Sequence, residues 1–189
     1  MKLRLCKTDI FVGYEAVAAM TAVLLFDREN IVISCAAAAL LHETGHLLMM
    51  RLCGVRVNRV RLRLFDVLIE AQDAPTWYAD CWITLGGPLI NLLCALVLCP
   101  FSRKLGWPHV ALGVFNLLPL MSLDGGHLLE LCLSRRCSVR ACNTVLRITT
   151  FVFLLPLMTA GIILLFHSGY NYSLLIISLY LMAVLFLKR

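Results

Sequence analysis

The chain has 189 residues, 61% of them hydrophobic, and a mean hydropathy of +0.87, far above the roughly half-apolar content of a soluble domain. This excludes an ordinary water-soluble enzyme and points to an integral membrane protein without a separate soluble domain. The net charge of +6 does not mark a nucleic-acid partner, because the basic residues lie between apolar segments, where membrane topology accounts for them.

In chain order, six apolar stretches approach the roughly 20 residues that span a bilayer: 10–26, 31–52, 78–99, 107–131, 145–166 and 172–187. The expected fold is therefore an all-α polytopic bundle of about six transmembrane helices forming one domain, residues 1–189. The N-terminus is basic and then apolar, as in a secretory signal. It contains Glu15, lacks a small-x-small cleavage site and is followed by further spans, so it reads as the first span. Glu15 is expected near the inner interface or bonded within the bundle, with a gating role as the functional alternative. The connection at 27–30 is short enough to make spans one and two a hairpin. Glycine and proline within spans three and four predict broken or kinked helices, which membranes accept where neighbours satisfy the freed backbone groups.

With the N-terminus inside, fourteen of the Lys and Arg residues fall on the inner side and three, Arg28, Arg103 and Lys104, on the outer. Both termini are therefore expected in the cytoplasm. Between spans two and three, from Arg59 onward, basic and apolar residues alternate within 55–71. Period two predicts a strand or hairpin at the cytoplasmic face; the competing reading is a solvated linker with anchoring arginines. The nine cysteines contain no C-x-x-C pair and mostly sit in or beside apolar segments. They read as small hydrophobes rather than as a disulfide framework or a thiolate zinc site.

The second span carries His42-Glu43-Thr44-Gly45-His46. Positions i and i+4 share one helix face, so both imidazoles can address one metal ion while Glu43 stands beside them to handle a water proton. Chance would produce the pattern on the order of once in a hundred chains of this size, and each charge at mid-bilayer costs about 2.5 to 3.5 kcal/mol. The structural alternative is a pair of neutral histidines bonded across the bundle. A catalytic zinc needs a third protein ligand and an open position. The best candidate is Asp124, set among leucines in the fourth span; its competing role is an Asp-Gly-Gly turn. His46 and Asp124 each lie about seven residues, roughly 10 Å at 1.5 Å per residue, before the inner end of their spans, which puts them at one depth. His127 and Glu130 follow Asp124 by a turn or more and are expected at the exposed interface. His109 and His167 fall at predicted outer ends and read as incidental.

The combination of His42-Glu43-x-x-His46, Gly86-Gly87-Pro88-x-x-Asn91 and Asn116-x-x-Pro119 followed by Leu123-Asp124-Gly125 resembles the site-2 protease family of intramembrane zinc metalloproteases. The short form looks most like its stage IV sporulation protein FB group. The specific motifs lie within about 31–131; the helices of about 145–187 match only in hydrophobicity, and no CBS or PDZ domain is expected. The resemblance implies Zn2+ held by His42, His46 and Asp124, and Glu43 as general base and then proton donor. It also implies Asn91 and Asn116 on the substrate backbone or the developing oxyanion, with an interhelical hydrogen bond as the competing reading of either, and Gly86 and Gly87 at a close helix approach. The implied substrate is a membrane-embedded protein, such as a sporulation transcription-factor precursor, in a bacterial cell membrane, with inhibitory or regulatory membrane proteins as further partners. A substrate helix must unwind before attack, and the 55–71 strand could receive it by edge pairing. The competing functions are a metal-ion or proton transporter, since ionisable residues at mid-membrane also mark ion paths, and an inactive membrane scaffold.

Overall fold

The computed structural model describes residues 2–5, 8–12, 31–62, 67–168, 178, 179 and 182. They form two compact units, Met1–Val114 and Phe115–Arg189.

The first unit opens with strands β1 (Lys2–Leu5) and β2 (Thr8–Val12). Helix α1 (Ile31–Leu52) follows, then β3 (Val57–Leu62) and β4 (Val67–Ala71). The strands form one sheet in the order β1-β2-β3-β4, antiparallel except for the parallel β2–β3 pair. The predicted hairpin at 55–71 is thus present as β3 and β4, and its alternation has a physical expression. Val60 is buried while Arg59 stays half-exposed, 3.7 Å from Glu70 directly across the ladder. The first predicted span needs correction at its start, because Ile10, Phe11 and Val12 belong to β2. Residues 13–30, with Glu15 and the expected hairpin turn, lie outside the described residues, as does nearly all of the sixth predicted span.

Helix α1 ends where the sequence supplies a glycine. Gly54 has φ +74°, a conformation that costs glycine nothing. Its N–H donates to Arg51 O (3.2 Å), and that of Val55 reaches back to Met50 O (2.8 Å). This is a Schellman cap, which satisfies the last helical carbonyls and turns the chain into β3. Helix α2 (Trp77–Leu98) starts at Thr76, whose hydroxyl accepts from Ala79 N at 3.1 Å, satisfying one orphan donor. Helices α1 and α2 pack through glycine. A Cβ on Gly45 would lie 2.7 Å from the carbonyl carbon of Gly86, and one on Gly86 would lie 2.6 Å from Gly45 O. Each helix has 22 residues, about 33 Å at 1.5 Å per residue, which matches a hydrocarbon core of about 30 Å.

The predicted fourth span is not continuous. Helix α3 (Arg103–Asn116) stops at Asn116, residues 117–123 are non-helical, and α4 (Asp124–Ser134) begins at Asp124. Pro119 has no N–H to continue the helical ladder, and the amides around it find other acceptors. Leu118 N donates to Phe115 O, Leu123 N to Leu120 O, and Met121 N to Thr150 Oγ1 at 3.0 Å. Within the second unit, Leu120 anchors this break against Leu154, both essentially fully buried. Thr150 and Leu154 lie on α5 (Val139–Ser168), which contains the predicted fifth span but starts six residues earlier. Gly125 and Gly126 exist for close approach, since a Cβ on either would collide with the carbonyls of Leu117 and Leu120 respectively.

Helices α1, α2 and α5 are long and apolar enough to cross a membrane. With 14 and 11 residues, α3 and α4 are each too short to cross alone. The described residues therefore contain three helices long and apolar enough to span, and many large side chains on them, Leu96, Ile163 and Phe166 among them, face outward, as an integral membrane protein requires.

Candidate metal centre

His42 and His46 lie one turn apart on α1, and both rings turn inward. His42 is 5% exposed and His46 is half-buried. The rings meet edge to face at 80°, with centroids 4.8 Å apart, and their Nε2 atoms lie 3.2 Å apart. Behind them, His46 Nδ1 donates to the Ile83 carbonyl at 2.8 Å. His42 Nδ1 accepts from Asn91 Nδ2 at 3.2 Å, and Asn91 Oδ1 accepts from His109 Nδ1 at 3.0 Å. Asn91 is 0% exposed, so its amide is committed to two imidazoles.

Gly87 makes the space in front of the rings. A Cβ there would lie 2.7 Å from Cε1 and Nε2 of His42, and closer still to His46 Nε2. Gly86 serves helix packing and Gly87 serves the imidazoles, so the expected close approach divides between two adjacent residues. Asp124, the first residue of α4, is half-buried. His42, His46 and Asp124 are the residues expected to supply a metal's ligands, the two histidines in the first unit and Asp124 in the second.

This donor set fits zinc. Two imidazoles and one carboxylate are a known catalytic ligand set, and ligand distances of about 2.0–2.2 Å imply a tetrahedral edge of ~3.3 Å. The 3.2 Å between the two Nε2 atoms already has that length. A polar contact on the far side of each ring holds its orientation, His46 Nδ1 against Ile83 O and His42 Nδ1 against the Asn91 side chain. Glu43 follows His42 on α1 and is half-buried, and Asn116, the last residue of α3, is also half-buried.

Two expectations change. Asp124 is not within a spanning helix but opens a new one, at the first turn that Pro119 and the collapsed 117–123 segment create. Asn91 makes interhelical hydrogen bonds with His42 and His109, the competing reading of that residue. His109 is not incidental: it is 3% exposed and bonded to Asn91. Its signal was helical spacing, for 109, 113 and 116 share one face of α3 with Gly113 packed on Asn91 and Leu92. His127 and Glu130 are exposed, 3.7 Å apart, as expected of interfacial residues, and His167 is exposed too. All eight described cysteines are free thiols.

The family model of peptidase family M50 matches residues 98–157, which include the broken fourth span and Asp124. A zinc metalloprotease of Synechocystis sp. is 30% identical over 126 residues, 59% of this chain and 30% of its own length. The zinc metalloprotease MJ0392 of Methanocaldococcus jannaschii is 26% identical over 71% of this chain and 45% of its own length. The zinc metalloprotease Rip3 of Mycobacterium tuberculosis is 32% identical over 53% of this chain and 30% of its own length. This chain thus spans less than half the length of these curated relatives. Among solved structures, the site-2 protease from Methanocaldococcus jannaschii shares the fold, with a TM-score of 0.69, 19% identity and coverage of 96% of this chain and 91% of its own.

Proposed function

We propose that this chain, whose matches support membership of the site-2 protease (M50) family, is an intramembrane zinc metalloendopeptidase. It cleaves a membrane-associated protein within or near that protein's transmembrane segment. The observation that carries the reading is the paired Nε2 atoms of His42 and His46, a tetrahedral edge apart in front of a glycine. His42, His46 and Asp124 hold the metal.

Zinc in this site supplies a Lewis acid that acidifies water toward a pKa of about 7 and polarises a carbonyl. Glu43 takes the proton of the attacking water and returns it to the leaving amine. Asn116, an uncharged donor at the end of α3, holds the substrate backbone or the developing oxyanion, where a preorganised dipole is effective in a water-poor site. Among the described strands β4 is a sheet edge, and it receives the unwound substrate by adding a strand. Val60 lies on β3, between β2 and β4, so proline there would disrupt the sheet itself. The discriminating substitution is Ile69→Pro on β4, expected to lower cleavage and leave zinc binding intact.

The resemblance to the stage IV sporulation protein FB group favours a sporulation transcription-factor precursor as substrate. The charge distribution favours both termini in the cytoplasm of a bacterial cell, with six spans in all. Co-expression with candidate membrane-bound precursors tests the activity. The native chain should release a fragment and Glu43→Gln should not, while both retain one zinc. A Glu43→Gln chain that alters metal or proton flux, with no cleavage by either form, would identify a transporter instead.

A further inference from the structure

The formal charge of α5 and of the turn before it is of one sign and gathered at one end. Between Leu131 and Ser168 the sequence holds Arg135, Arg136, Arg140 and Arg147 and no aspartate or glutamate. Glu130, the nearest preceding carboxylate, lies 3.7 Å from His127. Among the described residues, Arg136, Arg140 and Arg147 make no ion pair, and all three are exposed.

Helix α5 is also longer than a bilayer core needs. Its 30 residues reach about 45 Å at 1.5 Å per residue, against a hydrocarbon thickness of ~30 Å. The uncharged run 148–166 covers about 28 Å of this by itself, so residues 139–147 extend past the hydrocarbon. Arg140 and Arg147 lie two turns, about 10 Å, apart along one face, with the exposed Asn143 and Thr144 between them. The opposite face at that level is packed, since Cys142 and Leu146 are buried.

Helix physics does not account for the whole placement. Arg135 caps α4 and Arg136 follows it, where cations complement a helix C-terminus. Arg140 lies in the first turn of α5, which holds no acidic residue, and a cation there opposes the helix dipole. This uncompensated charge fits an external anion at headgroup level. The segment 131–168 uses arginine and no lysine, and a guanidinium matches a phosphate with two parallel N–H donors.

We propose that Arg136, Arg140 and Arg147 form a binding site for the headgroups of anionic phospholipids, which hold the α4–α5 turn at the membrane surface. An acidic protein segment is the other anion that could lie here; the position directly beyond an uncharged span favours the lipid, whose phosphates are always at that level. The inference rests on the membrane reading of α5 and is independent of the metal centre. An arginine near an anionic surface is worth about fivefold in binding, so three are worth about 100-fold.

The test is a titration of the purified full chain in nonionic detergent with phosphatidylglycerol and with phosphatidylcholine of the same acyl chains, bound lipid being counted by native mass spectrometry. The native chain should prefer phosphatidylglycerol. Changing Arg136, Arg140 and Arg147 together to glutamine should lower that affinity about 100-fold and leave phosphatidylcholine binding unchanged, while changing all three to lysine should keep the preference. Single Arg→Gln changes, each expected to lose about fivefold, give the same answer if the triple variant does not fold. Removing equal charge from exposed arginines of the first unit, by Arg51→Gln, Arg56→Gln and Arg103→Gln together, should leave the preference in place. Equal native affinity for the two lipids, or an equal loss in this control, overturns the proposal. So does tighter binding of a glutamate-rich peptide than of phosphatidylglycerol at the same three arginines, which would assign the face to a protein partner.

Discussion

Gly87→Ala probes the centre with a single methyl group. In an open helix the exchange would help, because alanine is favoured over glycine by about 0.8–1.0 kcal/mol. Here the new Cβ would lie 2.7 Å from His42 Nε2 and closer still to His46 Nε2, against an ordinary contact of at least 3.4 Å, so His42 must retreat by about 0.7 Å and His46 by more. They cannot do so freely, since His46 is tied to Ile83 O and His42 to Asn91. Overpacking of this kind costs about 1–3 kcal/mol, and metal sites accept distance errors of only about 0.2 Å. Zinc affinity should fall about 10- to 100-fold while the metal-free chain keeps its thermal midpoint within a few degrees. Competitive zinc titration and a melting curve in the same detergent measure the two quantities. Native zinc affinity in Gly87→Ala would refute the reasoning, because it would mean that the metal does not bind in front of these rings.

Glu43→Gln should lower cleavage by about 10²- to 10⁴-fold, the usual contribution of a positioned base, with zinc content unchanged by elemental analysis. Thr150→Val leaves the buried turn with Met121 N–H lacking its hydroxyl acceptor. It should destabilise the second unit by about 1–3 kcal/mol, read as a lower denaturation midpoint. Gly45→Val inserts bulk where the Gly86 carbonyl lies and should prevent α1 from packing on α2, seen as loss of folded yield alongside loss of zinc. Treating the native chain with a zinc chelator should abolish cleavage and added zinc should restore it.

Much of this architecture is legible in the residues because its causes are local. The two histidines announce themselves through helical spacing, the β3–β4 hairpin through alternation at 55–71, and the break in the fourth span through Pro119 and the paired glycines. What the sequence hides is tertiary. Helical spacing groups His109 with Gly113 and Asn116, but it does not say that Asn91, 18 residues earlier on another helix, will reach the ring, and a histidine beside Pro108 at a span end looks interfacial. The place of Asp124 is hidden likewise. The residues announce a break between 107 and 131 but not where the helix resumes, which is set when the amides freed near Pro119 close short turns and Met121 reaches Thr150. The aspartate therefore opens a helix instead of interrupting one. Strand β2 is obscured for a related reason: Ile10, Phe11 and Val12 are as apolar as a span, and only pairing with β1 and β3 makes them a strand.

Zinc-edge X-ray absorption of the purified, metal-loaded chain tests the central claim most directly. The account predicts one zinc per chain with two imidazole nitrogens and oxygen donors at about 2.0–2.2 Å, one imidazole disappearing in His42→Ala and one oxygen in Asp124→Ala. Sulfur scattering at about 2.3 Å, or a spectrum identical in both variants, would contradict it.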